Sequence, residues 1–186
     1  FLYPAPRELH VLRLPGVALL AMTWFSEADQ FMSTPSVGEF RFHVASNIRI
    51  CRDHFRLTLR ADSFPEAHPG QFIHLGPCRW GEAADVSAAA WGANAVQPFL
   101  RRAFSIAGLD RRSDGVFVDV MYRVVGAGTT WMAGLAENSP VSAIGPLGHA
   151  FVDPPDGHQA WLIAGGVGLP PLLWYARQLV QRGRRV

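Results

Sequence analysis

The sequence predicts a six-stranded antiparallel β barrel with one short helix, followed by the first βα unit of an α/β nucleotide-binding domain. Three observations predict it. Between residues 39 and 144, apolar and polar residues alternate with a period of two in short runs, as in strands with one buried face. A glycine turn, Gly126-Ala127-Gly128, interrupts that series and opens a single short helical run. After Asp153-Pro154-Pro155-Asp156-Gly157 the texture changes to a continuous apolar run, a glycine cluster and an amphipathic segment.

The first strand rests on Phe40, Phe42 and Val44 alternating with Arg41 and His43. The second rests on Phe55, Leu57 and Leu59 alternating with Arg56, Thr58 and Arg60. Residues 71–75 follow the turn signal His68-Pro69-Gly70 and form the third. Residues 76–98, rich in Gly, Ala and Pro and without a clean period, form a long excursion with a short helix over 85–91. Strands resume over 102–107 and 116–125, joined by a polar turn over 111–115. A short helix over 129–136 precedes a brief strand over 141–144, which runs into Gly145-Pro146-Leu147-Gly148. Six short strands and one late helix fit a small closed barrel.

Beyond the linker, residues 160–164 read as a strand buried on both faces and Gly165-Gly166-Val167-Gly168 as a turn. Residues 170–182 read as an amphipathic helix with Pro170-Pro171 in its first turn. One βα unit does not make a stable sheet, so the rest of this second domain is expected beyond Val186. The expected boundaries are 38–153 for the barrel and 158–186 for the start of the nucleotide domain. Residues 1–37 are expected to be a leader. Their apolar run over 17–25 is too short to span a bilayer, which takes about 20 residues. Phe1 is no initiator, and the native chain is expected to begin near Met32, ahead of a short polar stretch.

All 17 basic residues are arginine, so any phosphate clamp must use guanidinium forks, backbone N–H groups or helix ends. Net charge is +2 and the adjacent arginines are three scattered pairs (101–102, 111–112, 184–185), without the single basic face of a nucleic-acid binder. Two cysteines are too few for a disulfide framework or a cysteine-only metal site, and no metal ligands are assigned. Cys51, in a strand-like run, is expected to be a small buried hydrophobe; Cys78 falls in a Gly/Pro-rich loop.

Three segments carry the chemistry. In Leu100-Arg101-Arg102-Ala103-Phe104-Ser105-Ile106, Arg102 and Phe104 share a strand face while Ser105 turns to the other. An Arg there can grip a diphosphate through paired hydrogen bonds. In Met121-Tyr122-Arg123-Val124-Val125-Gly126-Ala127-Gly128-Thr129, a glycine turn feeds a helix N-terminus whose free N–H groups suit a phosphate, and Thr129 can cap the helix or bond a phosphate oxygen. In Ala164-Gly165-Gly166-Val167-Gly168-Leu169-Pro170-Pro171-Leu172, glycines let a ligand approach the backbone closely. Taken singly, these also read as an edge strand with solvated arginines, an ordinary capped turn and a tight βα connection.

Their order and spacing together resemble the ferredoxin–NADP reductase superfamily, with its R-x-[YF]-S strand, G-x-G-T helix start and G-G-x-G turn. Within it, residues 38–186 look most like the electron-transfer subunits of class B dihydroorotate dehydrogenase. The resemblance implies a flavin-dependent oxidoreductase subunit with a six-stranded FAD barrel and an NAD domain. It implies FAD contacts at Arg102, Ala103, Phe104, Ser105, Met121, Tyr122, Arg123, Gly128 and Thr129, and NAD contacts at Gly165, Gly166 and Gly168. Members carry FAD and a [2Fe-2S] cluster and pass electrons between a partner flavoprotein that oxidises dihydroorotate and NAD, in pyrimidine biosynthesis. The resemblance thus implies a cytoplasmic protein with a redox partner and neither nucleic acid nor membrane. The cluster's cysteines would lie beyond Val186, and neither Cys51 nor Cys78 matches them. No catalytic side chain is implied, because the flavin carries the redox chemistry. Ala103 stands where the family usually has Pro, and Ala127 where it has a charged or polar residue. Those departures leave open a reductase subunit of hydrogenase, glutamate synthase or oxygenase type, or a barrel that has lost its flavin.

Overall fold

Alternating side chains place one apolar face of each strand inward, and closure of the sheet joins those faces into one core. The computed structural model describes residues 37–78 and 100–186. The sequence N-terminal to residue 37, the tip of the excursion and its expected helix over 85–91 lie outside the described residues. The strands are β1 (Gly38–Cys51), β2 (His54–Ala61), β3 (Phe72–Pro77), β4 (Arg102–Arg112), β5 (Gly115–Arg123) and β6 (Pro140–Leu147), with α1 (Ala127–Ala133) between β5 and β6. They close as an antiparallel barrel in the order β1-β2-β5-β4-β3-β6. Phe42, Val44, Leu57, Leu59, Ile73, Ile106, Val118, Val120 and Ala143 are fully buried inside it.

Two register shifts control which side chains enter. In β1, Val44 pairs Leu59 but Asn47 pairs Leu57, so one extra residue lies between Val44 and Ser46. A bulge of this kind moves every later side chain to the opposite face. The inward series of β1 therefore passes from Phe42 and Val44 to Asn47. In β4 the shift falls between Ile106 and Gly108, and the inward series passes from Phe104 and Ile106 to Leu109 opposite Val118.

Several expectations are corrected. The hairpin expected to turn over 111–115 turns at Ser113-Asp114, because Arg111 and Arg112 stay in the ladder. Arg112 lies 4.2 Å over the Phe117 ring on one face of β4 and Arg111 donates to the Phe64 carbonyl (2.9 Å) on the other, so each guanidinium has a partner while its backbone stays in the ladder. Gly115 begins β5 at φ +142°, where an added Cβ would lie 2.7 Å from the Ala61 carbonyl oxygen. The helix expected over 129–136 begins and ends earlier. Cys51 is exposed, because the end of the β1–β2 hairpin projects past the core and leaves Ile48 and Ile50 exposed as well.

The segment expected as a strand over 160–164 is not one. Trp161 and Ile163 are 64% and 85% exposed, and no strand ladder forms there. Its backbone meets the C-terminal segment where Ala160 N donates to the Arg185 carbonyl (3.0 Å). A continuous apolar run encodes burial on two faces, but a strand also needs neighbours to bond, and the described residues supply none. The helix that follows, α2 (Leu169–Gln181), matches its expected span to one residue at each end.

α2 is fastened to the barrel and to the linker. It packs on β4, and its Trp174 joins the barrel core. Tyr175 and Leu179 form a second small core with Ala160. The Tyr175 hydroxyl donates to the Val152 carbonyl (2.8 Å), and Arg182 pairs with Asp153 (2.6 Å). Burial, with Asp153 adding to it, pushes the Tyr175 phenol up to about 12. This exposed ion pair contributes little, so the apolar contact holds α2 in place. Trp174→Ala is accordingly expected to cost about 3–5 kcal/mol in urea unfolding, with α2 amides losing more exchange protection than the barrel strands.

Candidate functional site

β4 and β5 are antiparallel neighbours, so the first residues of β4 lie beside the last residues of β5. From there the chain passes through Val124 and Val125 into the glycine turn and α1. This places two segments some twenty residues apart in sequence around one pocket of about 230 Å³. Arg102, Ala103 and Phe104 form one wall; Val125 and the turn Gly126-Ala127-Gly128-Thr129 form the other.

Each wall has a local reason for its shape. Arg102 is exposed, and its Nη1 donates to the carbonyls of Leu100 (3.2 Å) and Arg101 (3.3 Å). Among the described residues no carboxylate pairs with it, which leaves donors of the fork available to an anion. Phe104 sits edge-on to Tyr122, ring centroids 6.1 Å apart. On the opposite wall, Thr129 is the third residue of α1. Its Oγ1 accepts from Val125 N (2.9 Å) and Gly126 N (3.2 Å) and donates to the Gly126 carbonyl (3.0 Å). Thr129 therefore caps the helix and fixes the turn. The first helical bond runs from Thr130 N to the Gly126 carbonyl (2.9 Å), so the amides of Ala127, Gly128 and Thr129 are the first-turn groups without intrahelical acceptors. A Cβ built at Gly126 would meet no protein atom within 4 Å.

The structure thus brings Arg102, Ala103, Phe104, Gly128 and Thr129 together. It does not bring Ser105, Met121, Tyr122 or Arg123 to the same pocket. Ser105 pairs with Phe72 and turns to the other face of β4. Met121 is half-buried opposite Arg56, and Arg123 is exposed at the end of β5. Tyr122 is 2% exposed; its ring stacks on Phe55 (5.5 Å, 14°) and its hydroxyl donates to Asn47 Oδ1 (3.1 Å). Burial pushes that phenol up to about 12, with the Asn47 bond opposing, so it stays protonated at neutral pH. Gly165, Gly166 and Gly168 form an exposed turn near β5, where an added Cβ would meet open space. Val125, Gly126 and Ala127 line the pocket without having been predicted as binding residues. The signal for them was the first glycine of the turn, which leaves its wall without a side chain.

No protein-family model matches the chain. Curated relatives do. The dihydroorotate dehydrogenase B (NAD(+)) electron transfer subunit of Shouchella clausii is 32% identical over 149 residues, 78% of this chain and 51% of the relative. Its counterpart in Lysinibacillus sphaericus is 34% identical over 145 residues, 77% of this chain and 50% of the relative. The chain therefore spans about half the length of these relatives. Among solved structures, an Amycolatopsis cytochrome P450 reductase is 27% identical with a TM-score of 0.64, covering 86% of this chain and 44% of that one. Phthalate dioxygenase reductase, at 20% identity and a TM-score of 0.54, covers 80% of this chain and 41% of that one and supports the fold alone. The six-stranded barrel and the 32–34% identity over more than three quarters of the chain agree: the chain is a homologue of the dihydroorotate dehydrogenase B electron-transfer subunits over about half of their length.

Proposed function

We propose that this chain is the FAD-binding part of an electron-transfer subunit that passes electrons between a dihydroorotate-oxidising partner flavoprotein and NAD, in pyrimidine biosynthesis. The observation that carries this is one pocket lined both by Arg102, whose guanidinium has donors to spare, and by the glycine turn that opens α1. Those groups fit a diphosphate: Arg102 offers charge and a planar fork, the first-turn amides offer directed donors, and Gly126 leaves room. Ala103 and Phe104 would lie against the cofactor; Ser105, Met121 and Arg123 would meet its further parts. Tyr122 can contribute only through its backbone, because its side chain lies in the core.

When bound, FAD supplies the hydride and electron chemistry, and the protein's part is to hold and orient it. Arg102 offsets phosphate charge, Thr129 keeps the turn rigid, and no side chain is assigned a proton or a catalytic role. Residues 38–153 form the FAD domain and 158–186 the opening of an NAD domain, with Gly165, Gly166 and Gly168 as the approach for NAD. The two cysteines do not fit a [2Fe-2S] cluster, which takes four ligands, so we assign that group to the half of the relatives this chain does not span. No described helix is long and apolar enough to cross a membrane. A cytoplasmic location follows from the NAD-linked role.

Fluorescence titration of the chain with FAD is expected to show saturable one-to-one binding, and the corresponding full-length subunit with its partner to transfer electrons from dihydroorotate to NAD. A chain that leaves FAD fluorescence unchanged would sink the reading. The likeness to the P450 reductase favours one second reading, a reductase subunit for another acceptor. Full-length protein that reduces such an acceptor with NADH but gains nothing from the dihydroorotate partner would establish it.

A further inference from the structure

We propose that Asn47 is a positioning residue for the flavin pocket: it fixes α1, and with it the glycine turn, against the strands that carry Arg102 and Phe104. This rests on the FAD reading above. With only seven residues, α1 is too short to hold its own conformation in water, so its place must be set by contacts from outside. Trp131 and Met132 supply apolar anchorage in the barrel core. Apolar contacts alone tolerate sliding and rotation, whereas hydrogen bonds fix the register.

Asn47 supplies those bonds. Its Nδ2 donates to the Met132 carbonyl (2.8 Å) in the last turn of α1 and to the Leu135 carbonyl (3.2 Å) two residues past its end. Its Oδ1 accepts from the Tyr122 hydroxyl. Tyr122 in turn contacts Phe104 at the pocket wall, and Phe104 follows Arg102 by two residues on one strand face. One half-buried amide thus ties the helix that bears one wall to the ring that supports the other. The sequence places it there by a single device: the bulge after Val44 turns Asn47 inward, where the period-two pattern would have turned it out. Next to that bulge, Val44 exchanges bonds with the segment following α1, donating to the Ser139 carbonyl (3.0 Å) and accepting from Asn138 N (2.8 Å). β1 therefore holds the helix's exit as well.

The test compares Asn47→Ala, Tyr122→Phe and Leu59→Ala in the full 186-residue chain. Leu59 is a fully buried core residue opposite Val118, well along β5 from the pocket end, and serves as a stability control. FAD dissociation constants are read by fluorescence where all variants are folded, and α1 amides by hydrogen exchange. Asn47→Ala is expected to weaken FAD about tenfold and Tyr122→Phe about threefold, as losses of two or three bonds and one bond would. Leu59→Ala, which destabilises more, is expected to shift FAD affinity less than twofold. Exchange over residues 127–133 should rise selectively in the Asn47 variant. Unchanged affinity in both network variants, or affinity that simply follows unfolding stability across all three, overturns the proposal. If Asn47→Ala does not fold, Tyr122→Phe carries the same comparison. If the parent chain binds no FAD, the flavin reading fails by itself, and unselective exchange over α1 still overturns the positioning role.

Discussion

Arg102→Ala is expected to weaken FAD binding by about 10- to 150-fold. The estimate follows from one charge-assisted contact to a phosphate, worth about 1.5–3 kcal/mol. Arg102 is exposed, and among the described residues its bonds go to the nearby carbonyls of Leu100 and Arg101. Removing it should therefore change unfolding stability by less than about 0.5 kcal/mol. This separation of affinity from stability is the useful feature of the variant. Arg102→Lys should fall between, since it retains the charge but loses the planar fork. Fluorescence titration beside urea unfolding reads both quantities. A parental affinity in Arg102→Ala would remove the guanidinium from the site.

Gly126→Val tests the opposite wall. Gly126 lies at φ −178°, ψ −177°, an extended backbone that any residue adopts, so the substitution introduces no conformational strain there. A Cβ there would meet no protein atom within 4 Å beyond its chain neighbours, and the cap made by the Gly126 carbonyl and Thr129 does not use a side chain at 126. The fold should survive with a loss of at most about 1 kcal/mol. The added atoms would instead enter the pocket, and overpacking of about 1–3 kcal/mol corresponds to a roughly 5- to 150-fold loss of FAD affinity. Gly126→Ala should show the smaller end of that range. Circular dichroism and flavin titration on the same samples distinguish a blocked site from an unfolded one.

The two walls were legible because each combined a residue type with a necessary neighbour. Singly, Arg102 ahead of an aromatic also reads as a solvated edge strand and the glycines ahead of Thr129 as an ordinary capped turn; their order and spacing together pointed to one site. The strands were legible where one face is buried, as at Phe42 and Val44 or Leu57 and Leu59. Asn47 was not legible, because its inward position depends on one inserted residue, and nothing in a polar residue's identity announces a bulge. The site roles of Ser105 and Tyr122 show the same limit from another side. A motif places residues along a strand, but the strand's two faces then send them to opposite surfaces, and Tyr122 ends inside the core. Residues 160–164 failed for a different reason. Their apolarity reports how much surface must be covered, and a strand forms only where a neighbour offers a ladder.

The most direct measurement is a crystal structure of the chain with FAD bound. The diphosphate is expected between β4 and α1, within hydrogen-bonding distance of the Arg102 guanidinium and of first-turn amides among residues 127–129. A flavin bound on another face of the barrel, with only solvent between Arg102 and the glycine turn, would contradict that placement.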